Sequence, residues 1–229
     1  EEDYPLAEND IITIIPKGVM PKQDELESMM MARHTPHVHE RLKKGKVAIA
    51  GLGGLGSNIA VMLARSGVGQ LLLVDFDLVE PSNLNRQSYY ISHLGMPKTI
   101  ALKKQIEQIN PFILVEVKTT RVTEENVVEL FSGYDIICEA FDKAREKAML
   151  VNTVLEKLPD VKIVAASGLA GYDSSNLIQT KKVMKNLYIC GDFINEAKIG
   201  RGLMAPRVHI CAGHQANMVL RLLLGIEDV

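Results

Sequence analysis

Apolar positions change period repeatedly along this chain. Residues 47–50 form a continuous apolar run, the pattern of a strand covered on both faces of a parallel sheet. Residues 57–66 instead place Ile59, Met62 and Leu63 on one face of a helix, and Gly67 and Gly69 stop it. A second apolar run, 71–74, ends on Asp75. The same alternation continues downstream. A helix is expected over 99–109, stopped by Asn110-Pro111, then a strand over 112–118. Thr123 reads as the N-cap of a helix running to Phe131, with Glu124 and Glu125 in its first turn. A strand at 135–138, a helix at 143–158 and a strand at 161–166 follow. Strands alternating with helices predict βαβ units.

The pattern loosens at both ends. Residues 167–175 are a glycine- and serine-rich turn, and 177–180 and 187–189 read as shorter, antiparallel strands. Residues 196–206 read as a loop and 207–224 as a final helix. Near the start, Asn9-Asp10 reads as a turn, 11–15 as a strand, and Pro16-Lys17-Gly18 as its end. Residues 23–33 are rich in helix formers, and Met29, Met30 and Met31 read as packing. Pro36 interrupts that pattern before a short helix at 38–44. The expected fold is α/β: a Rossmann-like, mostly parallel sheet with helices on both faces and an antiparallel extension near the C-terminus. Its parts are a separate N-terminal unit at 1–18, a linker and helical arm at 19–45, and a nucleotide-binding domain at 46–229.

Composition narrows the partners. With 229 residues and 47% hydrophobic residues, the chain has ample material for a core. Its net charge of −2 gives no field that would favour nucleic acid or a membrane. No apolar run approaches the roughly 18 to 20 residues of a membrane span. The acidic, polar start does not read as a signal peptide. The three cysteines, Cys138, Cys190 and Cys211, include no Cys-x-x-Cys pair, so no zinc is expected. These features suit a cytoplasmic protein.

The first two strands are joined by Gly51-Leu-Gly53-Gly54-Leu-Gly56. Gly51 suits a tight turn, Gly53 a close approach of backbone to phosphate, and Gly56 close packing of helix on strand. The helix N-terminus offers N–H groups and a positive dipole end to an anion. Asp75 follows about 20 residues later, where a carboxylate can accept ribose hydroxyls. Arg86, flanked by Asn83, Asn85 and Gln87, and Lys98, at a helix start, are the cations expected to face a triphosphate. Asp142, after the fourth strand, can hold Mg²⁺ against phosphate oxygens. Such a set suits ATP better than NAD, which needs no phosphate clamp. His34, His37 and His39 read as a surface run rather than a metal site.

The strings GLGGLGS, SGVGQLLLVDFDLVEPSNLNRQ, GMPK and INP, followed by Asp142, resemble the ThiF/MoeB/HesA family, relatives of ubiquitin-activating enzymes. The likeness runs from about Arg33 to Gly225, and the NLNRQ and DFD elements (the latter containing Asp75 and Asp77) are its most specific parts. It implies ATP-dependent adenylation of the C-terminal glycine of a small ThiS-like sulfur carrier, releasing pyrophosphate, with Mg²⁺. By the same likeness Asp75 is the ribose ligand, Arg86 and Lys98 the phosphate clamp, and Asp142 the magnesium-side carboxylate. Asn83 and Gln87 are supporting polar contacts. Arg33 resembles an arginine that reaches into the partner subunit's site of a homodimer. Relatives often carry two Cys-x-x-Cys pairs; this chain most resembles the short, zinc-free members associated with thiamine thiazole synthesis. Cys190 in YICGD is the nearest match to a thiol that accepts the activated carrier or sulfur from a donor protein, and it reads equally as a structural cysteine, since Asp192 nearby disfavours a thiolate. AENDIITIIPKG resembles the last strand of a ThiS-type carrier, without its Gly-Gly tail. Two other readings stand beside this one: an NAD-dependent oxidoreductase on the same fold, and a protein that binds a carrier without turnover.

Overall fold

The structure, a computed structural model, describes residues 5, 7, 8 and 18–229. The expected turn at 9–10 and strand at 11–15 lie outside the described residues. Two helices, α1 (Gln23–His34) and α2 (Pro36–Lys44), lead into strand β1 (Lys46–Ala50). Helix α3 (Gly54–Arg65) and β2 (Gln70–Val74) follow, then α4 (Lys98–Ile109) and β3 (Leu114–Lys118). Next come α5 (Val127–Phe131), β4 (Ile136–Glu139), α6 (Ala144–Lys157) and β5 (Lys162–Ala166). The chain closes with β6 (Gln179–Met184), β7 (Leu187–Gly191) and α7 (Ala205–Leu223).

The strands form one sheet in the order β3-β2-β1-β4-β5-β7-β6, parallel except for the β6–β7 pair. Side chains alternate across it. Val47 and Ile49 join a core with Leu55, Ile59 and Leu63 of α3, Leu102 of α4 and Val219 of α7. Ala48 and Ala50 join the opposite core with Phe131 of α5 and Leu150 and Val154 of α6. Both faces of β1 are therefore covered, which is why its sequence is apolar throughout rather than alternating. The order reverses between β1 and β4: β2 and β3 extend one way, β4 and β5 the other. In an open parallel sheet, a crevice at the carboxyl ends of the strands opens at that point. No helix among the described residues is long and apolar enough to cross a membrane.

Three local expectations need correction. Thr123 does not cap α5; its N–H donates to Asn126 Oδ1 at 2.8 Å, and the helix begins only at Val127. Pro36 does separate the two helices, but α2 starts at Pro36 itself rather than at 38, as its fixed φ suits a first helical turn. His39 does not lie on the surface with its neighbours. It is 4% exposed beneath α1, and burial pushes its pKa down.

Candidate nucleotide-binding site

The glycine turn between β1 and α3 is shaped by contacts that admit no side chain. Gly51 has φ +91°, and a Cβ on it would lie 2.9 Å from the Ala140 carbonyl oxygen. A Cβ on Gly56 would lie 1.8 Å from the Gly51 oxygen, so helix and turn touch backbone to backbone. Gly53 differs: the nearest atom to a Cβ there is Gln87 Nε2 at 3.9 Å. Its surroundings are open, and its missing side chain leaves the backbone bare at the start of α3. Gly54, the first residue of α3, lies under Val208 and the aliphatic stem of Arg86.

Asp75, at the tip of β2, is 8% exposed. Its Oδ2 accepts the Leu52 N–H at 2.6 Å, and its Oδ1 accepts the Asp77 N–H at 2.8 Å. Burial raises its pKa against the pull of those amides. The Tyr89 hydroxyl donates to the Leu52 carbonyl at 2.9 Å, so turn, β2 tip and following loop are pinned at one residue.

The loop from 78 to 97 is fixed to the same turn. Val79 donates to the Met96 carbonyl at 2.8 Å, and Gly95 to that of Val79 at 2.9 Å. Asn58 Nδ2 donates to the Arg86 carbonyl at 3.0 Å, and Ser88 Oγ to Asn58 Oδ1 at 2.6 Å. The Arg86 guanidinium donates to Asn85 Oδ1 at 2.7 Å and the Ser82 carbonyl at 3.2 Å, while its Nε is buried without a partner. Gln87 Oε1 is likewise buried and unpaired. Asn83 holds its own turn, its Oδ1 accepting the Glu80 N–H at 3.0 Å. Lys98 opens α4; its Nζ donates to Asp77 Oδ2 at 2.9 Å.

Across the crevice, the Ala140 N–H donates to the Ala50 carbonyl at 2.9 Å and brings the turn after β4 against Gly51. Asp142 in that turn is exposed and has no hydrogen bond or ion pair among the described residues. The fold thus gathers Gly51, Gly53, Gly54, Gly56, Asp75, Asp77, Asn83, Arg86, Gln87, Lys98 and Asp142 around the carboxyl ends of β1, β2 and β4. A bare helix start, an unpaired buried N–H at Arg86 Nε and an unengaged carboxylate at Asp142 suit a phosphorylated ligand and a divalent cation, whereas the unpaired Gln87 Oε1 can only accept a hydrogen bond.

Two expected residues are not brought there. Arg33 lies on α1, whose Met30 packs against Gly67 and Asn110, ahead of β2 and β3, at the opposite end of the strands. Cys190 is a correction. The strand expected to stop at residue 189 runs on to Gly191, and Cys190 pairs with Ala166 of β5. The thiol is fully buried, and burial pushes its pKa up to about 11. In this conformation it can accept neither a carrier nor sulfur.

Sequence reasoning missed two ion pairs beside the site. Glu139, the last residue of β4, is 1% exposed and pairs with Lys147 of α6 at 2.9 Å. Asp192, after β7, pairs with Arg207 of α7 and accepts the Ile194 and Asn195 amides. Burial works against that carboxylate, but the Asn195 and Ile194 donors and Arg207 outweigh it and hold its pKa at about 2. Neither pair has a local signature, although an acid ending an apolar strand, as Glu139 does, was a usable cue.

The chain is 37% identical over 115 residues to a sulfur carrier protein adenylyltransferase of Thermus thermophilus, a stretch covering 50% of this chain and 42% of the relative. It is 36% identical over 148 residues to a tRNA threonylcarbamoyladenosine dehydratase of Bacillus subtilis, covering 64% of this chain and 58% of the relative. The chain thus spans about half the length of these curated relatives. Its fold matches the crystal structure of the E. coli tRNA N6-threonylcarbamoyladenosine dehydratase in complex with ATP. That match has a TM-score of 0.80 at 21% identity and covers 90% of this chain and 98% of the other. The ThiF family pattern matches residues 26–229, and the chain belongs to that family.

Proposed function

We propose that this protein uses ATP and Mg²⁺ to adenylate the C-terminal carboxylate of a small ThiS-like carrier protein, with release of pyrophosphate. The observation that carries the reading is the placement of Arg86, Lys98 and Asp142 around the glycine turn, at the point where the sheet order reverses. Asp75 takes the ribose hydroxyls, and Arg86, Lys98 and the α3 N-terminus face the phosphates. Asp142 would hold Mg²⁺, which supplies charge neutralisation at phosphate oxygens. The attacking carboxylate is already ionised at neutral pH, so little general-base work is needed. Positioned cations stabilise charge that develops as the α-phosphate is attacked. The lack of any Cys-x-x-Cys pair, which the sequence shares with the short members it resembles, is what supports a carrier in thiamine thiazole synthesis. Carrier-dependent ATP–pyrophosphate exchange tests the reading; no exchange with any β-grasp carrier would reject it.

The protein acts as a homodimer in this reading, with Arg33 reaching the partner's site. Its position far from the crevice of its own subunit favours that role. Arg33→Ala and Asp142→Ala proteins, each inactive alone, should recover part of the activity when mixed, because one site of each hybrid is complete. Hybrids that form without rescue would end the role across the interface.

The likeness to proteins named as tRNA threonylcarbamoyladenosine dehydratases favours a second reading, in which the activated carboxylate belongs to a modified nucleoside. Exchange that depends on modified tRNA and not on a carrier would select it.

A further inference from the structure

Between Gly54 and Ala64, helix α3 is apolar except for Ser57 and Asn58, two consecutive buried residues of types that weaken a helix interior. Both side chains bend back on their own helix. Ser57 Oγ donates to the Gly53 carbonyl at 2.6 Å, and Asn58 Nδ2 to the Gly54 carbonyl at 2.6 Å. Each then reaches across to the loop from 78 to 97. Ser57 Oγ accepts the Ser88 N–H at 3.1 Å. Asn58 Nδ2 gives its second hydrogen to the Arg86 carbonyl at 3.0 Å, and Asn58 Oδ1 accepts the Ser88 hydroxyl at 2.6 Å. The orientation of the carboxamide is dictated, because only its NH2 group can meet two carbonyl oxygens. The stem of Arg86 rests on Gly54, where a Cβ would lie 3.5 Å from Arg86 Cγ. Arg86 is therefore tied to the first turn of α3 by its main chain and packed on it by its side chain, while its buried Nε has no partner.

We propose that Asn58 is a positioning residue for phosphate binding: it fixes Arg86 against the N-terminus of α3, so that the guanidinium and the helix dipole meet the same phosphate. The inference rests on the nucleotide reading above and adds to it a residue that touches no ligand, one turn inside the helix. A helix N-terminus and an arginine fork each attract an anion on their own. They act together only when their spacing matches the phosphate, and here that spacing runs through one amide group. Asn58 Nδ2 joins the Gly54 carbonyl to the Arg86 carbonyl with nothing between them but its nitrogen. The Ser88 hydroxyl occupies the amide oxygen, so no rotation of the carboxamide keeps all three bonds. Aspartate has the same shape but no donor, and would set a carboxylate against two carbonyl oxygens. With the amide in place, the loop carrying Arg86 is aligned before the ligand arrives, so less freedom is lost on binding.

Calorimetric titration of the whole chain with ATP and with inorganic tripolyphosphate, both with Mg²⁺, tests this through a double-mutant cycle. Asn58→Ala should weaken both ligands by the same factor, about tenfold, because only the phosphates feel the change. In an Arg86→Ala background the same substitution should cost less than about twofold, since a residue that acts through Arg86 has nothing left to position. A residue that only holds the turn together would show its full loss in both backgrounds. Ser88→Ala removes one anchor of the carboxamide and leaves both carbonyl bonds; it should weaken both ligands about threefold. It carries the same cycle if Asn58→Ala does not keep the wild-type melting temperature. Equal losses with and without Arg86, a loss for ATP but not for tripolyphosphate, or wild-type affinity in both single variants overturns the positioning role and leaves the nucleotide reading standing. Wild-type protein that binds neither ligand overturns the nucleotide reading itself.

Discussion

Two lysine–carboxylate pairs sit at neighbouring strand tips, and they differ in what they leave over. Lys147 Nζ donates to both Glu139 oxygens, at 3.1 and 2.9 Å, and to the Ala166 carbonyl at 3.1 Å. An ammonium has three donors, so this one is saturated. Lys98 Nζ makes a single bond, to Asp77, whose side chain is 49% exposed. Two of its donors remain for a ligand, although its side chain is only 7% exposed. The first pair ties β4, β5 and α6 together and sets the backbone that carries Asp142, because Glu139 also accepts the Phe141 N–H at 2.7 Å. The second holds a cation ready at the crevice. Identical chemistry is saturated in one place and leaves donors free in the other, and the count of unused donors distinguishes them.

Breaking the first pair should have the largest effect on stability. Lys147→Met leaves Glu139 buried beside no cation and should cost about 3 to 5 kcal/mol, read from urea unfolding. A loss below about 1 kcal/mol would mean that the carboxylate is as well placed without its partner. Lys98→Ala should do the opposite: stability within about 1 kcal/mol of wild type, with pyrophosphate exchange lowered by about 10² to 10³. Arg86→Ala should behave in the same way, and near-normal exchange in both variants would remove the phosphate clamp.

The Asp192–Arg207 pair sharpens the contrast through pH. The folded pKa of Asp192 is held at about 2, below its ordinary value, so its contribution is complete above about pH 4. That contribution is lost as pH falls through the folded value. Asp192→Asn should therefore flatten the fall of the melting temperature between about pH 4 and pH 2. An unchanged acid limb would show that other carboxylates set it. The smallest effect is expected at the three cysteines, all of them buried. They should stay unlabelled by a thiol reagent in the native protein and react fully in urea. Rapid labelling of native Cys190 would reopen its role as an acceptor.

The β1–α3–β2 unit was legible because every cue in it is local: an apolar run, glycines at fixed spacing, a helical face, an acid. The edge of the sheet was less so. β6 runs from Gln179 to Met184, well past the expected 177–180, through Lys181 and Lys182, which an exposed edge strand tolerates but an apolar pattern does not reveal. Cys190 was misplaced because its strand is lengthened by parallel pairing with β5, a partner the local sequence does not name.

By itself, then, the sequence determined the order of elements, the parallel core and the group of polar residues at the strand tips. Periodicity and glycine sterics act over a few residues and are written in the chain. The tertiary structure alone decided which of those charges are spent on one another and which stay available. Hydrogen-bond saturation depends on partners brought together by the fold, as Gln215 of α7 shows when it donates to the carbonyls of Glu139 at 3.2 Å and Val164 at 3.0 Å. The candidate site is therefore marked by what folding leaves unpaired at Arg86, Gln87, Lys98 and Asp142.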